Sequence, residues 1–321
     1  AVLSDKYRPL PHFFRQNFSQ VTNPPIDSLR ENEVMSLKTR FGNTGNILDF
    51  ENLTEENIYV LEGPILSNSQ FNKFSDFFRS NIKNIDCTFN IQEGLKKRLE
   101  ELRSEAETAV REGAKHLILS DKKVDENKAA IPMVLAIGAI NSKLIDLGIR
   151  GFASVNVQTS EALDTHSFSV LLGVGATTIN PYIAFDSIYQ RYEKKLFGNI
   201  SFEECVMRYI KSIDNGLLKI MSKMGISVLS AYRGGCNFEA VGLSRSVVAD
   251  YFPGMTSRIS GIGINGIEKK IKKIHKKAFQ HNTTVLPIGG IYKYRKNGEL
   301  HQYQGKLIHI LQSAVSSNSY E

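Results

Sequence analysis

The sequence has no tryptophan and only three cysteines among its 321 residues. Cys87, Cys205 and Cys236 lie far apart and form no C-x-x-C pair, which excludes a zinc or iron–sulfur site built from neighbouring residues. Few, scattered cysteines are typical of reducing compartments. We expect Cys205, on a predicted amphipathic helix, to be a buried and inert thiol.

Long apolar runs are also missing. The longest, Ile131–Ile140, is about half as long as a membrane-spanning helix. Residues 1–8 carry charge too early for a signal peptide. We therefore expect a soluble, cytoplasmic protein without membrane contact, and a start at Ala1 rather than Met predicts a segment of a longer chain.

Familiar catalytic motifs are missing too. No G-x-S-x-G, H-E-x-x-H or P-loop occurs, so we predict that His166 is a packed or capping histidine rather than a base. The stretch Gly261–Gly266 formally matches G-x-G-x-x-G. Because the polar residues before it do not predict a strand, we interpret it as a glycine-rich turn that precedes a helix.

Charge is present in a concentrated form. The net charge is +7, and residues 267–279 contain six lysines and one glutamate at helical spacing. Such a face could bind nucleic acid or an acidic partner. We favour a solvated face and no nucleic-acid binding, because no aromatic residues alternate with these lysines as they do in single-strand binders.

A parallel sheet is the strongest prediction from the pattern of apolar residues. Short apolar or β-branched runs predict four strands centred near Ile118, Val155, Thr178 and Val228, separated by helices at 131–147, 160–172 and 202–224. This is an α/β fold with a four-stranded parallel sheet surrounded by helices. Residues 120–121, 159–160, 180–181 and 231–235 should then share one rim at the carboxyl ends of the strands.

Other elements flank this core. The alternation in residues 84–91 predicts a strand at an edge of the sheet, and residues 58–61 predict another strand. Helices are predicted at 69–81 and 92–112, and a helical pair at 237–251. Near the start, Asn23-Pro24-Pro25 breaks any helix, and a capping box formed by Ser28 and Glu31 predicts a helix from about Leu29.

Several ordered strings in this sequence point to one family. They are Val21–Asp27, Ile118–Asp121, Ile131–Gly138, Leu171–Ala176, Ile179–Tyr182, Leu218–Ser227, Ala231–Gly234 and Ser257–Gly263. Together they resemble the central domain of glutamate synthase over almost the whole chain.

The resemblance implies a rudimentary, incomplete TIM-barrel-like domain. It assigns residues 1–280 to the central domain, with a mostly helical part at 1–114, a βα core at 115–235 and a helical part at 236–280. Residues 281–321 would form the connector that leads toward an FMN-binding domain.

The function implied by the resemblance is to hold a glutaminase domain and an FMN synthase domain of the same polypeptide in register, and to line part of an ammonia tunnel. Thr22, Asn23 and Thr39 would line the tunnel, and Arg30 and Arg233 would be structural. In the family the nucleophilic cysteine is at the mature N-terminus, whereas this chain begins with Ala1, and the resemblance places FMN and the iron–sulfur cluster in other parts of the parent enzyme. No catalytic, cofactor-binding or metal-binding residue is therefore expected here.

The resemblance also implies partners and a compartment. A small NADPH-oxidising subunit or ferredoxin would act through the parent enzyme, and a plant-type parent would place the chain in the plastid stroma. An alternative stays open, in which the chain is an independent α/β enzyme that binds a phosphorylated ligand or flavin. Its site would combine Thr159 and Ser160, Arg233–Gly235 and Gly261–Gly266, because arginine and backbone amides suit phosphate.

Overall fold

The structure, a computed structural model, describes residues 8–25, 27–42, 48, 58–280 and 288–319. It divides into two compact units. Pro9–Lys273 forms one unit, and Arg8 together with the described residues from Ile274 onward belongs to the other.

The strands, in chain order, are β1 (Phe14–Gln16), β2 (Thr39–Phe41), β3 (Tyr59–Leu61), β4 (Ile82–Asp86), β5 (Thr88–Asn90), β6 (His116–Ser120), β7 (Lys128–Ala130), β8 (Ser154–Gln158), β9 (Thr178–Asn180), β10 (Phe238–Leu243) and β11 (Thr256–Ile262). The helices are α1 (Ser28–Val34), α2 (Asn68–Phe77), α3 (Leu95–Arg111), α4 (Met133–Asp146), α5 (Thr165–Gly173), α6 (Tyr182–Glu193), α7 (Phe202–Met224), α8 (Leu229–Tyr232), α9 (Arg245–Tyr251), α10 (Ile264–Ala278) and α11 (Gly305–Ser317). Short 3-10 helices lie at Leu10–Phe13, Arg79–Asn81 and Arg150–Phe152.

The central sheet has the order β4-β6-β8-β9, and all of its strands are parallel. On one face, side chains such as Leu117 and Val155 are buried in the main core together with residues of α3, α4 and α5. On the other face, Ile118 packs with aromatic residues of α2 and of the β2–β3 hairpin. The sheet is open, which confirms the predicted α/β fold with an incomplete, barrel-like sheet.

One of the four predicted strands is wrong. Residues 226–231 contribute only an isolated bridge between Val228 and Ser36, and the chain then turns into α8. Leu229 and Tyr232 are buried at helical spacing, whereas Val228 is 44% exposed. The fourth strand is instead β4, whose position confirms the predicted edge strand near residue 84.

The predicted helical pair at 237–251 is also half wrong. Its first half is β10, in which Phe238 and Ala240 alternate inward, and only α9 is helical. β10 and β11 pair in parallel across α9, which adds a further βαβ unit. A strand therefore does precede α10, and a side chain at Gly261 would collide with the backbone of Gly242. Glycine is required at position 261 because two strands approach each other closely there, and not because the chain turns.

The predicted capping box at the start of α1 is replaced by a different cap. The carboxylate of Asp27 accepts the backbone N–H groups of Leu29 at 2.9 Å and Arg30 at 3.0 Å, and Ser28 is already the first helical residue. Glu31 is thereby free to point inward, where it is buried. His166 is half-buried, and its Nε2 lies 2.9 Å from the carbonyl oxygen of Pro11, which fits the predicted packed histidine.

The second unit presents an apolar helix to solvent. Large apolar residues of α11, including Leu311 and Val315, are exposed, and no residue within 288–319 is buried. Across the described ranges, no helix combines the length and apolar character that a bilayer crossing requires.

Candidate functional site: the sheet rim and the Thr22–Pro25 cleft

A buried carboxylate closes the carboxyl end of the central sheet. Asp121, directly after β6, is fully buried and accepts hydrogen bonds from Thr159 Oγ1 at 2.8 Å and from the Ser160 backbone N–H at 2.9 Å. The Ser160 hydroxyl at 3.1 Å and the Tyr182 hydroxyl at 2.8 Å donate to the same carboxylate. We call these four residues the rim cluster. The hydrogen-bond donors of this cluster are therefore already used by the carboxylate of Asp121.

A row of polar side chains continues across the same rim. Ser120 Oγ donates to Gln158 Oε1 at 3.0 Å, and Gln158 Nε2 donates to Asn180 Oδ1 at 3.1 Å. Asn180 Nδ2 in turn donates to Asn68 Oδ1 at 2.9 Å. The structure thus brings together the predicted rim segments that follow β6, β8 and β9, and links them through hydrogen bonds between side chains.

The titratable groups beside the rim cluster are perturbed by burial. Burial raises the pKa of Glu161 to about 7; its hydrogen bond from the Met133 backbone N–H, 2.7 Å long, opposes this rise, and the charge of Asp121 adds to it. Burial, followed by the charge of Asp121, also raises the pKa of Tyr182. Glu161 binds the first N–H of α4 and Tyr182 binds Asp121, so both groups are engaged in holding elements together.

Arg233 does not lie at this rim, so the prediction that residues 231–235 share it is wrong. Its Nη2 donates to the carbonyl of Thr177 at 3.4 Å, just before β9 begins, which is the amino end of the sheet. Arg150 lies at the same end and donates to the carbonyls of Ala153 at 2.6 Å and Gly175 at 2.8 Å. Burial, with the neighbouring charge of Arg150, lowers the pKa of Arg233 to about 10. The misplaced fourth strand explains the error.

Among the described residues, the candidate groups do not fit an FMN phosphate or an iron–sulfur cluster. Asp121 occupies the hydroxyl and N–H donors of Thr159 and Ser160, and Arg233 is at the opposite end of the sheet. The thiols of Cys87 and Cys205 are buried, and in the part of the chain that the structure describes no group of three or more His, Cys, Asp or Glu side chains could hold a metal. The combined phosphate or flavin site of the alternative hypothesis is therefore not assembled.

A cleft forms where the chain enters α1. It has a volume of about 560 Å³ and is lined by Thr22, Asn23, Pro24, Pro25, Arg30 and Val34. Thr22 and Asn23 are exposed, and Arg30 pairs with Glu33 of the same helix at 3.0 Å. Three of the residues singled out in the sequence therefore line one cleft. Thr39 does not line it, because this residue is buried in β2 and donates to the carbonyl of Leu37 at 3.3 Å.

Both ends of this loop are held against α7, which sequence reasoning did not predict. After the loop, the buried carboxylate of Glu31 pairs with Lys219 of α7 at 2.6 Å. Before it, Val21 packs so closely on Gly225, the left-handed C-cap of α7, that a Cβ there would lie 2.7 Å from its side chain. The only sequence feature related to these contacts with α7 is Glu31, which we assigned to a capping box.

Comparison with known proteins identifies the family. The family model described as "Glutamate synthase central domain" matches residues 1–244. The "Glutamate synthase [NADPH] large chain" of Azospirillum brasilense is 54% identical over 100% of this chain and 21% of its own length. The large chain of the same name from Bacillus subtilis (strain 168) is 40% identical over the same shares.

The similarity extends to a second type of relative. The "Ferredoxin-dependent glutamate synthase" of Pyropia yezoensis is 37% identical over 98% of this chain and 21% of its own length. The chain thus spans about one fifth of the length of the curated relatives it matches. The family model matches most of this chain, and identities of this size extend over nearly its full length. Because of these matches, this protein belongs to the glutamate synthase family, in which it corresponds to the central domain.

Proposed function

We propose that this chain is a connecting domain of a glutamate synthase large chain, which lines part of the route for ammonia between a glutaminase domain and an FMN synthase domain. Family membership supports this proposal. The observation that carries it is the Thr22–Pro25 cleft, because it combines a stiff, weakly polar lining with anchorage at both ends.

Rigidity is the first property that suits a passage. Pro24 and Pro25 each fix their own φ and remove a backbone donor, and the Asp27 cap sets where the helix begins. The contacts of Val21 and Glu31 with α7 fix the flanks of the loop. Because the loop is held in this way, the cleft that it lines keeps its shape without a bound ligand.

Polarity is the second property. Thr22 and Asn23 offer short, neutral side chains that can contact ammonia without holding it. Arg30 is paired with Glu33 at 3.0 Å, so its charge is balanced on α1 and its role here is to brace the loop. The lining would therefore be polar enough to admit neutral ammonia and too weakly polar to retain it.

The remaining partners follow from the relatives. In this proposal the glutaminase and FMN domains belong to the same polypeptide, and the parent enzyme accepts electrons either from an NADPH-oxidising subunit or from ferredoxin. The flavin and the iron–sulfur cluster would lie in those other parts, and this chain would not be catalytic alone. The compartment would be the cytoplasm, or the plastid stroma for a plant-type parent.

The test is Asn23→Leu in the complete large chain that contains this segment. Leucine branches at the same atom as asparagine but carries two bulkier methyl groups, so it cannot hydrogen-bond ammonia and it narrows the cleft. We expect glutamine hydrolysis to continue while less glutamate forms per glutamine consumed, with free ammonia released. Asn32→Leu is the matched control, since Asn32 is exposed on α1 and does not line the cleft. If both variants stay fully coupled, the cleft is not the ammonia route.

A further inference from the structure

A larger cavity, which none of the predictions above used, lies between the segment Tyr59–Gln70 and helices α6 and α7. Its volume of about 930 Å³ is in the range of cavities that hold small organic ligands. Much of its wall is apolar, from Leu61, Ile65, Phe185, Phe202, Val206 and Ile210.

One charged group in this wall lacks an internal partner. Asp214 of α7 lines the cavity, and its buried Oδ1 has no hydrogen-bond partner among the described residues. The loop at Gly63 passes so close that a Cβ there would lie 3.3 Å from this oxygen. Asp214 as a whole is half-buried, but this oxygen is shielded from solvent. Because a shielded oxygen without a hydrogen-bond donor is unfavourable, its place beside an apolar cavity points to a ligand that donates to it.

The other charges of the lining favour a cation over an anion. Glu62, Glu203 and Asp214 are acidic and only Lys211 is basic. The start of α2 also lines the cavity, but its capping box already uses the Gln70 backbone N–H, which donates to Ser67 Oγ at 3.2 Å. This helix end is therefore less available to an anion.

We propose that this cavity binds a small organic cation, an ammonium or guanidinium group carried on an apolar stem, with Asp214 as its counter-ion. The stem would lie against the aromatic and aliphatic wall, and the charged end would reach the carboxylate. This site is separate from the Thr22–Pro25 cleft and does not depend on the ammonia route.

The protonation of Asp214 gives the site a second signature. Burial raises the pKa of its carboxyl group to about 7, so near neutral pH part of the free protein is protonated there. A cation binds the ionised form, so binding releases protons and tightens as pH rises from 6 to 8. The other titratable groups in the lining are Tyr59, Glu62, Glu203 and Lys211.

The experiment titrates the chain with benzylamine at pH 8 and follows binding by calorimetry and by amide NMR shifts. Benzyl alcohol is the matched probe, with the same ring and no charge. Asp214→Asn removes the charge at nearly constant shape, and Asp186→Asn, an exposed acid on α6 outside the lining, is the control variant. Met207→Trp fills the cavity at a side chain that is 61% exposed, so this variant should fold whatever the role of Asp214.

We expect benzylamine to bind at least about tenfold more tightly than benzyl alcohol, because a charge-assisted contact adds to the apolar one. Asp214→Asn should remove this difference, Met207→Trp should weaken both probes, and Asp186→Asn should change neither. Equal affinities for the two probes, an unchanged amine affinity in Asp214→Asn, or the absence of saturable shifts would each overturn the proposal.

Discussion

The carboxyl rim of the sheet and the Thr22–Pro25 cleft are both polar, but they differ in what satisfies their polar groups. At the rim, the carboxylate of Asp121 is buried and its hydrogen-bond donors all come from this chain. In the cleft, Thr22 and Asn23 face open space, and only the flanks of the loop are fixed.

This difference indicates that the rim contributes to stability and that the cleft is the candidate for function. In parallel α/β sheets the carboxyl ends of the strands are the usual place for a ligand. Here the hydrogen-bond donors of the rim cluster, at the carboxyl end of the sheet, are bound to the carboxylate of Asp121. Changes at the rim should therefore destabilise the domain rather than alter a reaction. Changes in the cleft should leave the fold intact, and under the proposed function they should alter the transfer of ammonia.

The largest expected effect is at the rim. Asp121→Ala would leave the hydroxyls of Thr159, Ser160 and Tyr182 and a backbone N–H without an acceptor. We expect the free energy of unfolding to fall by about 3 kcal/mol or more, measured by urea denaturation. Tyr182→Phe, which removes one donor, should cost about 1 kcal/mol. Equal, small losses in both variants would show that the rim cluster is not a structural lock.

The next effect concerns the anchor of the cleft. Lys219→Met leaves the buried carboxylate of Glu31 unpaired, and we expect a loss of about 2 kcal/mol, less than for a fully buried pair because Lys219 is half exposed. The double variant with Glu31→Gln should recover most of it. Arg208→Met, which breaks the exposed pair with Glu204 on the same helix, is the control and should cost at most about 0.5 kcal/mol.

A smaller effect at the rim depends on pH. Because the folded-state pKa of Glu161 is raised to about 7, from 4.5, the folded protein retains this proton better than the unfolded chain does. Its contribution is therefore most favourable below pH 4.5 and is lost as pH rises to about 7. Glu161→Gln keeps the acceptor for Met133 and should be more stable than the parent by on the order of 1–2 kcal/mol at pH 8, with no difference near pH 4. Thermal unfolding of both proteins across this range is the measurement, and a pH-independent difference would contradict the burial of an acidic Glu161.

The smallest effect on stability should come from the cleft itself. Thr22 is exposed, so Thr22→Ala should change the free energy of unfolding by less than about 0.5 kcal/mol. A loss of the size expected for Asp121→Ala would mean that the cleft, like the rim, is part of the fold's support.

An element of this fold can be predicted from the sequence when a local pattern of residues determines it, and cannot when a contact between distant residues determines it. β6, β8 and β9 are predicted because each is a short run of apolar or β-branched residues between helical segments, and both faces of each strand contribute buried residues. β4 is harder to place because it is an edge strand with exposed Lys83 and Asn84, so its pattern does not show that it pairs in parallel with β6.

The errors at α1 and α8 share a physical cause. Glu31 fits a capping box by spacing, but its partner Lys219 is 188 residues away, and no local pattern reveals it. Residues 226–231 have the composition of a strand, but tertiary packing buries Leu229 and Tyr232 on one helical turn. The rim cluster could be anticipated from the topology of the sheet, whereas the pairing of the cleft with α7 could not.

The most direct test of the ammonia route is an isotope competition in the complete large chain. Glutamine labelled with ¹⁵N in the amide group is supplied together with unlabelled ammonium, and the ¹⁵N content of the new amino group of glutamate is measured by mass spectrometry. In the parent enzyme the label should be retained, and in Asn23→Leu it should be diluted by ammonium from solution, while Asn32→Leu behaves as the parent. Full retention of the label in Asn23→Leu would contradict the assignment of the Thr22–Pro25 cleft to the ammonia route.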